Sequence, residues 1–284
     1  MSSQEQLIAN AILQLKQDTN IIKDYVFPIA MAFFTSFIGA CAGYFVYLRQ
    51  ERLSAEKKKL EIINKWLLMA DEIHQSLLAL KSNYHGKLSS HPYQRFLAIP
   101  TIIGTNKKYQ LDYYELAFIT DFDSQIKWLN VGYLRTLFAN YESLLSIWEI
   151  RNEFNDKVRI QFFDTLVENK SYVDLVDSEI ELNINQSDLS FLVDLTERAI
   201  RLTDDLIQEF FEFFVDFPEA VSKRIDLKLI KNYGKIIIID IRKNKAIQPL
   251  LLDSPLPDYE KISQLSGHSV EEVMARYKPL FRYE

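Results

Sequence analysis

Tyr25-Val-Phe-Pro-Ile-Ala-Met-Ala-Phe-Phe-Thr-Ser-Phe-Ile-Gly-Ala-Cys-Ala-Gly-Tyr-Phe-Val-Tyr-Leu48 is the stretch whose reading decides the fold. Its twenty-four residues include no charged side chain. A helix that crosses the hydrocarbon core of a bilayer needs about twenty apolar residues. At roughly 1.5 Å rise per residue the run would be about 36 Å long, enough to cross with some tilt. It is read as a single transmembrane helix. Aromatic side chains sit at both ends, Tyr25 and Phe27 at one and Tyr44, Phe45 and Tyr47 at the other, where amphipathic rings prefer the headgroup zone. Pro28 falls in the first turn, where its missing N–H does least harm.

Two alternatives compete for this stretch. A buried core helix is the plainer one, and the length of the run argues against it. The other is a cleaved leader. Ile38-Gly39-Ala40-Cys41 has the form of a lipoprotein cleavage box, and Ala40-Cys41-Ala42 that of an A-x-A site. Both sites come late, the apolar run continues past them to Leu48, and the preceding segment is long and not basic.

Orientation follows from the flanks. Lys16 and Lys23 precede the run; Arg49, Arg52, Lys57, Lys58, Lys59 and Lys65 follow it. Basic residues stay on the cytoplasmic side. The N-terminus is therefore expected outside an inner (plasma) membrane and the large C-terminal part in the cytosol.

The faces of the run predict association. Gly39 and Gly43 form G-x-x-x-G, and Ala32, Ser36 and Ala40 continue a small-residue stripe. Small residues let helix backbones approach closely in lipid. Below the run, Val46, Leu53, Leu60 and Leu67 recur every seven residues, with Ile63, Ala70 and Leu77 as a second series. That is the pattern of a coiled-coil seam. The two features predict a parallel homo-oligomer joined through Ala32, Ser36, Gly39 and Gly43 in the membrane and Leu53, Leu60 and Leu67 beneath it. The alternative is an ordinary bundle helix, whose face Ile62, Trp66, Leu68 and Ile73 would widen toward Ser82.

Composition narrows the function classes. The chain has 284 residues, 48% of them apolar, enough for a sizeable core beyond the span. A formal charge of −6 argues against a general nucleic-acid binder, although a local basic patch survives such an average. Cys41 is the one cysteine, so neither a disulfide framework nor a cysteine zinc site forms within one chain. Seven glycines are scattered, and neither common phosphate-cradling motif occurs. His74, His85 and His91 have no standard metal spacing. Asp112, Glu115, Asp121 and Asp123 are explained more simply as helix caps and turns than as acid–base pairs. No catalytic, cofactor-binding or metal-binding residue is assigned, and a non-enzymatic protein is expected.

The domain reading is mainly α. Residues 1–24 form a short amphipathic helix with Ile8, Ile12, Leu15 and Ile22 on one face. Residues 25–48 are the span, and 49–82, free of Gly and Pro, a helical stalk. Residues 83–254 are a cytosolic helical domain, and 255–284 a C-terminal helical segment. In the domain, Asp112-Tyr113-Tyr114-Glu115 reads as a capping box that opens a short helix. Asp121 or Asp123 caps a long one with Ile126, Leu129, Tyr133, Leu137, Tyr141, Leu144 and Trp148 inward, running to about Asn152. A further helix spans 156–169 with Val158, Phe162 and Leu166 inward. After a polar link at Asn183, Asn185 and Ser187, another long helix covers Asp188–Asp216, stopped by Pro218. Lys235–Arg242, a β-branched run, is a strand candidate that could turn into Ala246–Leu252 as a hairpin.

Asp112-Tyr-Tyr-Glu-Leu-Ala-Phe118, with Tyr141-Glu-Ser-Leu-Leu through Arg151-Asn152, resembles uncharacterised bacterial single-span membrane proteins, some thought to belong to phage-defence systems. The resemblance covers about forty residues and carries no catalytic position. It implies a membrane effector in a defence setting. Farther on, residues 259–277 have the spacing of a helix-turn-helix, with Gly267 in the turn. Gly267-His268 and Arg276-Tyr277 also resemble the end of tyrosine recombinases, but the rest of that family's catalytic set is not evident, so no nucleophile role passes to Tyr277. Ser269 with Glu272 is a capping box that accounts for the segment structurally. The expected function is a membrane-anchored, self-associating effector or signalling protein with a cytosolic protein partner. The competing class is a passive tether or assembly factor, and DNA binding through 259–277 is the least favoured.

Overall fold

A computed structural model describes residues 3–17, 21–103, 109, 111–121, 124–166 and 184–281. It divides into two compact units, Met1–Lys57 and Lys58–Glu284. Asp123 and Asn183, and the far end of the helix expected over 156–169, lie outside the described residues.

The first unit is helical, and none of its described residues is buried. Helix α1 covers Ser3–Gln17, and a π-helical turn, Ile22–Val26, leads into α2, Phe27–Ser82. Leu7, Ile8, Ile12 and Leu13 of α1 are all exposed. The apolar start of α2 is equally bare: Phe33 is 76% exposed and Phe37 67%. Among the described residues it is the one helix long and apolar enough to cross a membrane, and none of its most apolar window is buried. One of its few hydroxyls bonds back to its own helix. The Thr35 hydroxyl lies 2.8 Å from the Met31 carbonyl and 3.1 Å from that of Ala32.

The second unit is an all-α bundle. The end of α2 packs there with α4, Val131–Leu166, and α5, Gln186–Ser222. Ile63, Trp66, Leu67, Ala70, Ile73 and Leu77 are buried on α2; Leu134, Leu137, Phe138, Tyr141, Leu144 and Trp148 on α4; Leu206, Ile207, Phe210, Phe213 and Phe217 on α5. Aromatic edges knit the three together. Trp66 meets Phe138 at 5.1 Å between centroids, Phe138 meets Phe210 at 5.6 Å, and His74 meets Phe214 at 5.5 Å. Such pairs add to simple area burial. A second cluster joins short α3, Pro92–Ala98, to α4, α5 and the C-terminal helices through Phe96, Val158, Leu189, Leu192, Ile262 and Val273.

Several sequence expectations are corrected. No strand occurs among the described residues, so the hairpin over Lys235–Leu252 is absent. Residues 235–240 are drawn out, with neither turn nor bend. The Asn64 side chain takes the place of a partner strand: its amide donates to the Lys235 carbonyl at 3.0 Å and accepts from Ile237 N–H at 2.9 Å. Beyond, Ile241–Lys243 and Gln248–Leu251 curl into 3-10 turns. A β-branched run with no ladder to join has no reason to become a strand.

Pro218 does not stop α5, which continues to Ser222. The hydrogen bond lost at proline is offset by burial of Ala220 and Val221 beyond it. The long helix expected after Asp121 begins instead at Val131, where the Asn130 side chain accepts from Tyr133 N–H at 3.2 Å. Ile126 is left outside it and exposed, and Asp121 pairs with Arg224. At its other end α4 runs to Leu166, so the described part of the expected 156–169 helix is its continuation. Asp112 does cap its short helix, a 3-10 segment over Tyr113–Ile119, but Glu115 bonds Lys65 at 2.8 Å rather than closing a capping box.

Candidate functional site

Helix α5 carries charge on its buried side, and that charge builds the site. Glu197, Asp204, Asp205 and Glu209 are all almost completely buried. An ionised carboxylate is stable there only when paired. Arg95 of α3 grips Glu197 with two nitrogens at 2.6 and 2.9 Å, and Lys81 of α2 meets Asp204 at 2.7 Å. Lys127 and Tyr133 converge on Glu209 Oε1 at 2.7 and 2.5 Å. Burial pushes the Glu197 and Glu209 carboxyls above their usual range, against the pull of Arg95 and Lys127 respectively.

The same carboxylates fasten the end of the chain. Asp204 accepts from the Ser254 N–H at 2.7 Å and its hydroxyl at 3.1 Å. Asp205 accepts from the backbone N–H of Leu280 at 2.6 Å and of Phe281 at 3.2 Å. Arg95 also donates to the Pro255 carbonyl at 2.9 Å. About one turn before Glu197, Asp194 receives Arg276 at 2.6 Å and the Tyr277 hydroxyl at 3.1 Å. Residues 254–281 are thus pinned along α5 by a column of side chains.

Between the start of α5 and the C-terminal helices α6, Tyr259–Ser266, and α7, Val270–Arg276, lies a cavity of about 840 Å³. Phe191, Leu265 and Val273 give it apolar walls, and Asp194, His268 and Arg276 polar ones. The hairpin that makes it is local chemistry. Gly267 takes the left-handed conformation (φ 74°) that ends α6. Ser269 and Glu272 then close the expected capping box.

Tyr277 is a brace in this arrangement. It is 4% exposed, and burial together with the adjoining Asp194 carboxylate drives its phenol well above the usual range. A nucleophile needs the opposite shift. Glu271 and Glu272 stand exposed on α7, where a helix reading DNA would present cations to phosphates.

The residues predicted for association fall into two groups. Ala32, Ser36, Gly39 and Gly43 are exposed in the first unit, and Leu53 is half-buried. A Cβ added at Gly39 or Gly43 would meet nothing within 4 Å, so no contact inside the chain asks for glycine. Leu60 and Leu67 are buried inside the second unit, 5% and 0% exposed, and the lower part of the heptad ladder faces the chain's own bundle. The three histidines stay apart in role. His74 is buried against Phe214, His91 caps α3 and meets Lys261 at 2.5 Å, and His85 is exposed. Among the described residues no group of His, Cys, Asp and Glu could hold a metal ion.

Sequence reasoning missed Arg95, Glu197, Asp204 and Asp194. Their trace was there: acids at 194, 197, 204, 205 and 209 interrupt an apolar stripe at helical spacing. No protein-family model, curated protein or solved structure matches this chain.

Proposed function

We propose that the chain is a membrane-anchored, self-associating effector or signalling protein. Residues 25–48 cross an inner membrane with the N-terminus outside, and the helical bundle receives a partner or ligand in the cytosol. The observation that carries this reading is the start of α2: a helical run from Phe27 to Leu48 with no charge and almost no burial. In water such a surface would drive aggregation; in lipid it is solvated. Association is assigned to Ala32, Ser36, Gly39 and Gly43 in the membrane, extended to Leu53, and no longer to Leu60 or Leu67. The cavity under α6 and α7 is the assigned receiving site. The defence setting rests on the sequence resemblance alone. No enzymatic step is assigned, because Asp194, Arg276 and Tyr277 of the cavity wall serve one another as structural partners.

Topology tests the reading. In intact spheroplasts, protease added outside should leave residues 50–284 uncut, whereas permeabilised cells should lose them. Digestion of the bundle in intact cells overturns the orientation, and recovery of the full chain in the soluble fraction overturns the span. Toxicity on expression that disappears when 25–48 is replaced by an unrelated span favours the effector over the passive tether.

A further inference from the structure

Against an overall charge of −6, the stretch from Lys223 to Lys235 carries five cations, Lys223, Arg224, Lys228, Lys231 and Lys235, and one carboxylate, Asp226. It is a folded knuckle. Ile225 and Ile230 anchor it in the bundle, 7% and 0% exposed, and backbone bonds from Leu229 N–H to the Asp226 carbonyl and from Tyr233 N–H to the Ile230 carbonyl hold its turns. The anchors face in, so the residues between them face out: Leu227 is 37% exposed and Tyr233 56%, with Lys228, Lys231 and Lys235 exposed beside them. Arg224 is engaged by Asp121, and Lys223 lies 3.9 Å from Glu219. Lys228, Lys231 and Lys235 meet no carboxylate among the described residues.

The knuckle is held to α2 at three points. Lys59 Nζ lies 3.5 Å from the Arg224 carbonyl, Asn64 clasps Lys235 and Ile237, and a Cβ on Gly234 would stand 3.2 Å from Leu60. Lys59 follows Leu48, the last residue of the apolar run, by eleven residues. Even fully drawn out, that much chain spans at most about 40 Å, which limits how far the knuckle can stand from the lipid surface if 25–48 crosses it. Within that reach, uncompensated lysines flanking a tyrosine and a leucine match the two parts of a bilayer surface. Cations meet phosphates, while an aromatic ring and an aliphatic tip enter the headgroup zone.

We propose that the 223–235 knuckle is a second membrane contact, docking on an anionic bilayer surface. The proposal rests on residues 25–48 spanning the membrane. It makes lipid charge an input to the bundle, because the knuckle is bonded to α2 and lies beside the drawn-out 235–240 segment.

The test uses the full chain reconstituted into vesicles of phosphatidylcholine alone or mixed with phosphatidylglycerol. Insertion is read by resistance to alkaline extraction, and docking by backbone hydrogen exchange at residues 225–235. Exchange there should slow about tenfold in the anionic vesicles, because lysines near such a surface are drawn to its headgroups. The protection should vanish at high salt and in the triple variant Lys228→Glu, Lys231→Glu, Lys235→Glu, which still inserts. Equal exchange in both vesicles with insertion intact overturns the lipid contact alone. Failure to insert into either overturns the span and the contact with it. Protection by an added oligonucleotide in neutral vesicles, without any lipid dependence, also overturns it, since the patch would then be reading phosphates of another polymer.

Discussion

The start of α2 and the whole of α5 are both rich in Phe, Leu, Ile and Ala, yet they treat charge and exposure in opposite ways. From Phe27 to Leu48, α2 has no charged side chain and leaves its large apolar residues bare. Along α5, Leu192, Ile200, Leu206, Phe210 and Phe213 are buried, and so are four carboxylates. A helix in contact with lipid, as proposed for α2, has no partner for a charge and no need to hide its aromatic rings. A helix at the centre of a bundle can bury carboxylates because neighbouring elements bring cations to them. Apolar content does not separate the two cases; what does is where the charges are and what answers them.

The largest expected effect breaks the α5 side of this contrast. Arg95→Met leaves Glu197 buried without its cation, and should cost about 3–5 kcal/mol of stability in urea unfolding of the detergent-solubilised chain. Adding Glu197→Leu removes the orphaned charge and should recover most of that loss. If the single variant is as stable as wild type, the pair is not a structural clasp, and the pinning of Pro255 through Arg95 does not hold the C-terminal segment.

His74 supplies the next largest effect. It is fully buried against the edge of Phe214, and burial lowers its imidazole to about 4 from an ordinary 6.5. The ring is therefore neutral in the fold over a range where the unfolded chain binds a proton. Stability should fall as the pH drops from 6.5 toward 4, by about 3 kcal/mol in total, and His74 should add nothing further below that. Glu197 and Glu209, whose carboxyls are raised, act in the opposite direction over acid pH. The difference between wild type and His74→Leu isolates the histidine. A difference independent of pH between 4 and 7 would show that the ring is solvated or paired when protonated.

Much of this could be read in the sequence, and the failures share one cause. The uncharged run, the Asp112 cap, the Gly267 turn and the Ser269–Glu272 box are local: neighbouring residues decide them, and they appear as expected. The heptad ladder was ambiguous because Leu60 and Leu67 suit a partner's seam or the chain's own core equally well, and only the fold shows them covered by the latter. The Lys235–Arg242 run has strand propensity but no neighbour to pair with, and propensity yields to that. The column on α5 joins residues about a hundred positions apart, Arg95 with Glu197 and Lys81 with Asp204, so no window along the chain contains both halves. A periodic acid inside an apolar stripe was the available hint.

A smaller effect tests the α2 side. Nothing within the chain approaches Gly39 or Gly43, so a pair of isoleucines there should leave insertion and the fold of the bundle unchanged. If the glycines meet a second copy, the added bulk separates the backbones. Dissociation in mild detergent should then become at least about tenfold easier, or about 1.4 kcal/mol. Leu60→Asp should behave differently, because Leu60 is buried in the second unit: it should unfold the bundle rather than selectively loosen the oligomer. Unchanged association in the double isoleucine variant would leave the small-residue face to lipid alone.

The smallest effect concerns Tyr277, and it decides whether the C-terminal hairpin is chemistry or carpentry. The phenol lies 3.1 Å from Asp194 Oδ1, the carboxylate that also holds Arg276. Tyr277→Phe removes one hydrogen bond and keeps the buried ring, so stability should fall by about 1 kcal/mol. Arg276 still pairs with Asp194 in that variant, which keeps the loss small. Asp194→Ala takes away both bonds and should cost more, with proteolysis beginning in residues 259–281. Wild type and the phenylalanine variant should behave alike with double-stranded DNA, neither forming a covalent adduct that survives denaturation. A phenol bonded to a carboxylate and pushed toward its protonated form is a poor nucleophile. An adduct formed by wild type and lost in Tyr277→Phe would instead mean that Asp194 releases the phenol on binding DNA, and that the hairpin opens to react.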